Sequence, residues 1–473
     1  MSTYTPYTAT KAEDRFPKKR LVRWRLVFLI FAVPFAMISL AIFVFRVGWT
    51  IRENQGRQAM EVELAKLAEE GVAIDNQTLS ELYFENTSDD QSNKWSEIFS
   101  ILSSLEFAAS ATGVPIIDRR VQVDDFADDF DTSSTWQFAE NCIRFTAEQK
   151  ELIAKIHVLA CKRQPTSFPI VFQSTDTLLP EVQSVRTVAL LLRTDAQVAL
   201  HLGESERAFD DIVSLFEVSK HVDAVPFVVS RLVGIAVRKL ALQSIQNAIR
   251  LDTFSDEQLA KIDNTISGHC NINNRWRTLI TDELSSNMPV FITPNLSMQT
   301  DKFIPARGHD AVFFIDLMRR GAAIPADDWG YLYRSSVELE AELDKSLSST
   351  MGKVDRLLSG LLTPAFGSLA TALINDAQLH RQARVAIALR MYDHQHASMP
   401  GTLADLPSEI AVLKPYGAEP FSYTSDSGRP VLWGFWVSKE HQHTPRDIPK
   451  TEQPTSESLN NRAIVWWFDT EVQ

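Results

Sequence analysis

Four of the ten histidines fall in two identical triplets, His394-Gln-His396 and His441-Gln-His443. Side chains two residues apart on extended backbone point to the same side. Two imidazole pairs could therefore share one transition-metal ion. The other reading of the same residues is electrostatic. The first triplet closes a helical pattern, where imidazolium meets the negative end of the helix dipole, and the second lies in a polar loop. His394, His396, His441 and His443 are thus the metal candidates. Asp124, Asp125, Asp128, Asp129 and Asp131 surround Phe126 and Phe130 and offer oxygen ligands at a density that suits calcium. They lack the spacing and the glycine of an EF-hand, which leaves a solvated acidic loop as the alternative. A third set, Asp301, Arg307, His309 and Asp310, combines acid, base and cation. It is where a hydrolase with an unrecognised active site would keep its groups.

The established motifs of catalysis are missing. The chain contains no H-E-x-x-H, G-x-S-x-G, G-x-x-x-x-G-K-[ST] or C-x-x-C. Ser349-Thr-Met-Gly-Lys353 ends like a phosphate loop, but its first glycine and preceding strand are absent, so it reads as a helix-breaking turn. No catalytic residue is assigned, and no cofactor is expected. The three cysteines, Cys142, Cys161 and Cys270, leave at least one thiol without an internal partner. Cys142 and Cys161 bracket a helical stretch and could pair in an oxidising compartment. The alternative is buried free thiols.

The elements that would position these residues begin with an uncharged run of twenty residues, 26–45, LVFLIFAVPFAMISLAIFVF. As a helix it is about 30 Å long, the thickness of a bilayer's hydrocarbon core. Seven Lys or Arg precede it, and Trp24 and Trp49 bracket it. The positive-inside rule then keeps the basic tail (1–25) in the cytoplasm and exports the rest. The apolar core is longer than that of a cleaved signal peptide, and no A-x-A site follows. The expectation is an uncleaved signal-anchor in the cytoplasmic (inner) membrane, with the bilayer as partner through 26–45 and the bulk on the periplasmic side.

Residues 1–50 hold eight Lys or Arg and two Asp or Glu, so of the net charge of −13 the remainder carries −19. Such a surface repels phosphate backbones, and no nucleic-acid partner is expected. Only 17 of 473 residues are glycine, and the apolar spacing is mostly helical, which disfavours Gly-loop α/β folds.

The fold expected is mainly α: the transmembrane helix, a helical-hairpin bundle over 46–360, and a long helix with a small antiparallel β cap over 361–473. A membrane-proximal helix is expected over 55–70. Asp75 can cap the next one, and 94–109 has apolar residues at i, i+3, i+4 spacing. Thr146-Ala-Glu-Gln149 and Ser255-Asp-Glu-Gln258 read as capping boxes. Residues 181–202 are apolar on nearly all sides and should be buried. Gly203-Glu204-Ser205 turns the chain into a second helix to His221, and a third covers 227–251. The hairpin resembles a single tetratricopeptide unit, but no second copy follows, so a solenoid is not expected. Three prolines interrupt the pattern over 285–308. Helices resume over 310–320, 329–347 and 366–396. Strands are expected around 419–437 and 463–468, with Trp433, Trp436, Trp466 and Trp467 forming either a small core or an aromatic platform for a glycan or a partner.

The order ELAKLAEEGVAIDNQTLSELY, LLRTDAQVALHLGESERAFDDIVSLFEVSKHV, VVSRLVGIAVRKLALQSIQNAI, FSDEQLAKI, ALRMYDHQHASMPGTLADL and EPFSYTSDSGRPVLWGFW resembles that of a family of uncharacterised planctomycete single-pass envelope proteins. The likeness covers most of residues 20–470. That family has no assigned activity, so the resemblance implies a location and supplies no catalytic residue. The C-terminal part is similar to the globular end of type II secretion major pseudopilins, through Tyr392, His396, Pro400, Leu403 and Leu406. It departs from them in placing its anchor some 350 residues away, with no prepilin cleavage motif. The functional expectation is a structural or protein-interaction role with an envelope protein partner. The alternatives are the envelope hydrolase and a secretion-apparatus accessory component.

Overall fold

The computed structural model describes residues 18–85, 89–107, 114, 136, 138–161, 168–173, 180–269, 271–292, 307–414, 421–425, 430–435 and 463–468. The acidic cluster 124–131, Asp301, His441, His443, Cys270 and Trp436 lie outside them.

Helix α1, Lys18–Glu69, is one uninterrupted helix of 52 residues, about 78 Å long. The membrane-proximal helix expected over 55–70 is therefore not separate. Residues 46–54 contain no proline, and their one glycine, Gly48, meets nothing, so nothing there ends the helix. The chain continues through α2 (Asn76–Phe84), α3 (Asp89–Phe107), α4 (Ala139–Glu148) and α5 (Lys150–Ala160). Asp75 caps α2 as expected, accepting from the Thr78 backbone N–H at 2.8 Å. The capping box expected at Thr146 is not there. Thr146 lies inside α4, its hydroxyl donating back to Ile143 O, and α5 begins at a Gln149 that makes no side-chain cap.

Helices α6 (Pro180–Leu202), α7 (Ser205–Asp223) and α8 (Val228–Arg250) form the expected antiparallel trio. Gly203 makes the first turn at φ +74°, a left-handed conformation that costs glycine little. Helix α9 (Asp256–Ser267) starts on the complete Ser255–Gln258 capping box. Helix α10 (Ile272–Ile292) runs on past residue 285, where the sequence suggested a break. Pro289 sits in its last turn, where the single lost hydrogen bond is tolerated. Then follow α11 (Arg307–Ala322), α12 (Trp329–Leu347), α13 (Thr350–Asp355), α14 (Leu357–Leu362), α15 (Phe366–His396), a 3-10 turn (Leu403–Asp405) and α16 (Ser408–Ala411).

Strands β1 (Ser422–Thr424), β2 (Val431–Phe435) and β3 (Ala463–Trp467) form one antiparallel sheet in the order β1-β2-β3. Leu432 pairs with both Tyr423 and Trp466. Leu432, Trp466 and Phe468 are buried, so the described part of this cap is core. The Leu432 carbonyl accepts from Gln382 Nε2 of α15.

Two apolar cores result. The first gathers α2 to α9, the sheet and the second half of α15. The second gathers the end of α1, α10 to α12, α14 and the first half of α15. Helix α15 enters both, with Phe366 to Ala377 in one and Leu379 to Leu389 in the other. Both cores are thus organised around α15. Cys142 and Cys161 are not joined by a disulfide; the first is buried and the second exposed. Burial pushes the Cys142 thiol up to about 12, so it is an inert apolar side chain.

Among the described residues two stretches are long and apolar enough to cross a membrane. The apolar window of Ala32–Glu69 has a mean hydropathy of 1.8 with none of it buried, and that of Leu357–His396, which spans α14 and α15, has 1.7 with 44% of it buried.

Candidate functional site

The residues singled out by the sequence take up mostly structural positions. Asp310 is buried in the first turn of α11. Its carboxylate accepts from the backbone N–H of Leu358 at 2.8 Å and of Ser359 at 3.2 Å, and from the Ser359 hydroxyl. Burial pushes its carboxyl up, while these donors pull it down. Asp310 therefore acts as the clasp that seats α14 on α11. His309 Nε2 lies 3.1 Å from the Arg52 carbonyl, joining α11 to α1. Arg307 opens α11. A Cβ on Gly308 would fall 2.3 Å from the Gly56 carbonyl carbon, so glycine is what lets the two helices cross so closely. The described members of the hydrolase set thus hold backbone to backbone.

His394, at the end of α15, sits between two carboxylates. Nδ1 is 2.6 Å from Asp256 Oδ1, and Nε2 is 2.6 Å from Asp252 Oδ1. Against the penalty of burial, those contacts raise its pKa. With both ring nitrogens donating, neither offers a lone pair to a metal. His396 stacks on Tyr392 at 3.9 Å, its Nδ1 2.9 Å from the Tyr392 carbonyl. Among the described residues no group of three or more His, Cys, Asp or Glu side chains is placed to hold a metal ion.

The chemically richest described place is one the sequence reading missed. At the junction of the two cores, Arg238 of α8 is fully buried. Its Nη1 meets Asp223 Oδ2 at the end of α7 at 2.5 Å, and its Nε meets Asp376 Oδ2 of α15 at 3.2 Å. Arg275 of α10 donates to the same Asp376 oxygen and, at 3.1 Å, to the His269 carbonyl. Gly234, one turn before Arg238, makes room: a Cβ there would lie 2.1 Å from Asp223 Oδ1. Burial alone would raise the Asp376 carboxyl, but Arg238 and Arg275 overcome it and hold Asp376 well below the usual carboxylate range.

Two imidazoles complete the cluster. His380 Nδ1 is 2.6 Å from the Asp376 carbonyl. A carbonyl only accepts, so Nδ1 carries the proton and Nε2 is a bare acceptor. Burial, with Arg238 nearby, pushes His380 down to about 4 despite the Asp376 charge. Its ring lies 5.5 Å from that of His269, which burial, Arg238 and His380 push down to about 2. Arg238 Nη2, Asp223 Oδ1, His269 Nε2 and His380 Nε2 make no hydrogen bond with the protein. His269, Asp223 and Arg275 line an open cleft of about 490 Å³, together with Lys220 and Arg231. The set offers neutral imidazole and cationic guanidinium to a small polar molecule. A sequence signal was available: Asp376 and His380 stand at i, i+4 within the long helical stretch 366–396, and Arg238 interrupts the apolar run of GIAVRKLAL.

A second buried acid has the opposite fate. Asp195 of α6 is paired bidentately by Arg207. Asp211 of α7 faces Nε2 of His157 at 2.8 Å. Burial and the nearby Asp195 charge push the Asp211 carboxyl well up, and burial pushes His157 down. The pair is therefore neutral over a wider pH range than its parts would be alone. Asp376 and Asp211 are equally buried; two guanidiniums bonded to Asp376, against an Arg207 that is bonded to Asp195 and acts on Asp211 only through its charge, decide which carries charge.

Comparison with family models, with curated proteins and with solved structures finds no match to this chain.

Proposed function

We propose that this chain is a single-pass protein of the cytoplasmic membrane that holds an acidic helical domain on the outer side in a structural or protein-interaction role. The observation that carries the proposal is the division of α1. Its apolar part stands clear of the fold, with Phe35, Met37, Leu40 and Phe43 exposed. Its last turns are built into the second core through Leu67, with Met60 and Leu64 packed against it. Twenty apolar residues left bare in water would be a large liability; in lipid they are matched. The basic flank sets the direction.

A rigid link follows from the same helix. Arg52 pairs with Asp355 at 2.6 Å, and Arg319 of α11 reaches both Glu63 and Glu70. The domain is thus fixed to its anchor at several points along one helix, as suits a protein that positions a partner relative to the membrane. The test is crosslinking in intact membranes followed by purification of the full chain. Recovery of a defined envelope protein supports the proposal. A chain that crosslinks to nothing, while the purified protein hydrolyses an envelope polymer, would overturn it.

A further inference from the structure

The parts of the described domain that meet α1 at Arg52, beyond the apolar run, are the start of α11, through the His309 contact to the Arg52 carbonyl, and the pair α13–α14, through the Arg52–Asp355 contact. Arg52 lies seven residues past Phe45, about 10 Å along the helix. The polar zone of a bilayer is about 5–8 Å deep on each side, so this contact sits just beyond its outer edge. The two short helices are pinned at that level. Asp310 clasps the start of α14, and Arg356 lies over the Phe313 ring of α11 at 4.0 Å.

One face of this pair is built into the protein, with Leu358 and Ser359 buried. The pair also presents four large apolar side chains to solvent: Met351 at 55%, Val354 at 38%, Leu357 at 41% and Leu361 at 72% exposure. Lys353 is exposed among them. Between residues 345 and 362 the charged residues are Lys345, Lys353, Asp355 and Arg356, a local excess of cations in a domain that is strongly acidic elsewhere. Apolar side chains interleaved with cations are the composition of an element that lies in the membrane interface. Val47 and Ile51, between the apolar run and Arg52 on α1, are exposed as well.

We propose that α13–α14 is a second, monotopic membrane contact: Met351, Val354, Leu357 and Leu361 enter the interface of the same bilayer that α1 crosses, with Lys353 at the lipid headgroups. The occupant of this face is lipid, chosen over a protein partner by the distance along α1 and by the local charge. The inference rests on α1 spanning the membrane. It adds that the domain lies down on the bilayer beside its anchor, so that the rigid link fixes orientation as well as distance.

The test uses the full chain in vesicles of mixed zwitterionic and anionic phospholipid with brominated acyl chains. An environment-sensitive fluorescent amino acid is placed at position 37, 361 or 158. Position 37 reads the span. Position 158 is an aqueous control, since Val158 of α5 is exposed in the first core, away from α1. All three side chains point out of the fold, and circular dichroism checks that each variant keeps its helix content. The expected result is loss of most emission at 37 and 361 and none at 158. Quenching at 37 with emission at 361 equal to that at 158 overturns the second contact and leaves the anchor standing. No quenching at 37 overturns both. As a further arm, the Leu357→Ser, Leu361→Ser chain labelled at 354 should regain the emission of the control; unchanged quenching at 354 would contradict the assigned side chains.

Discussion

Helix α1 and the stretch Leu357–His396, which joins α14 to α15, hold apolar windows of nearly the same mean hydropathy, and each stretch is long enough to cross a bilayer. They differ in what covers them. None of the apolar window of α1 is buried, whereas α15 threads both cores and carries Asp376, His380 and Arg390 into them. Each of those polar groups has a protein partner: Asp376 has Arg238 and Arg275, and Arg390 donates to the Ile249 carbonyl. Hydropathy averaged along a helix therefore does not decide whether lipid or protein is its solvent. The deciding feature is whether the rest of the chain supplies matching surfaces and counter-charges.

The comparison breaks if charge on α15 proves dispensable. Asp376→Leu makes α15 more apolar, yet it leaves Arg238 and Arg275 buried without their shared carboxylate. A loss of about 3–5 kcal/mol is expected, read by denaturant unfolding of the detergent-solubilised full chain. Unchanged stability would mean that the junction is not held by charge. The converse change belongs to α1. Met37→Arg puts a cation near the middle of the span, at an insertion cost of about 2.5–3.5 kcal/mol. The fraction retained in membranes after alkaline extraction should fall, while the unfolding midpoint of the domain stays put, because Met37 packs against nothing.

Acid should also separate the two helices. His380 and His221 are pushed down to about 4, and His269 to about 2. These imidazoles are neutral when folded, so they take up protons more readily when unfolded. Their contribution is complete above the unfolded value of about 6.5 and is lost as pH falls toward the folded values. The loss is on the order of 2 kcal/mol for each at pH 5. A melting temperature that drops between pH 6.5 and 4, and drops less in His380→Gln, would fit; a flat profile would not. Asp376 adds its own loss only below about pH 3.9, the unfolded carboxylate value, as pH falls toward its depressed folded value.

Smaller changes sharpen the account of local structure. Ser255→Ala removes a complete capping box and should cost about 1 kcal/mol. Asp211→Asn should cost under about 1 kcal/mol, since the acid it replaces is held in its neutral form with no guanidinium to abandon. If it proved as damaging as a change at Asp376, the assignment of charge to the two buried aspartates would be wrong.

Much of this was legible in the residues. The bounds of α12 and α15, the Gly203 turn, the Asp75 cap and the Ser255 box all follow from local rules of spacing and capping. Thr146 misled because its capping pattern lies within a helix whose packing overrides it; there its hydroxyl receives Arg207 instead. The continuity of α1 was missed because two patterns, apolar then amphipathic, look like two elements when nothing marks the absence of a stop. The junction was missed for a different reason. Asp223, Arg238, Arg275 and Asp376 come from four helices, and no local spacing announces that they meet. His309 and Asp310 were read as chemistry because they are adjacent; in the fold each satisfies the backbone of a neighbouring helix.

The claim that matters most is that α1, and not α15, is the membrane helix, with the domain on the outer side. All three cysteines lie beyond the apolar run and none before it, and Cys161 is exposed. A membrane-impermeant thiol reagent applied to intact spheroplasts should therefore label the native chain. After alkaline extraction the labelled chain should remain with the membranes. Labelling that requires lysis, or a chain released by alkali, would contradict it.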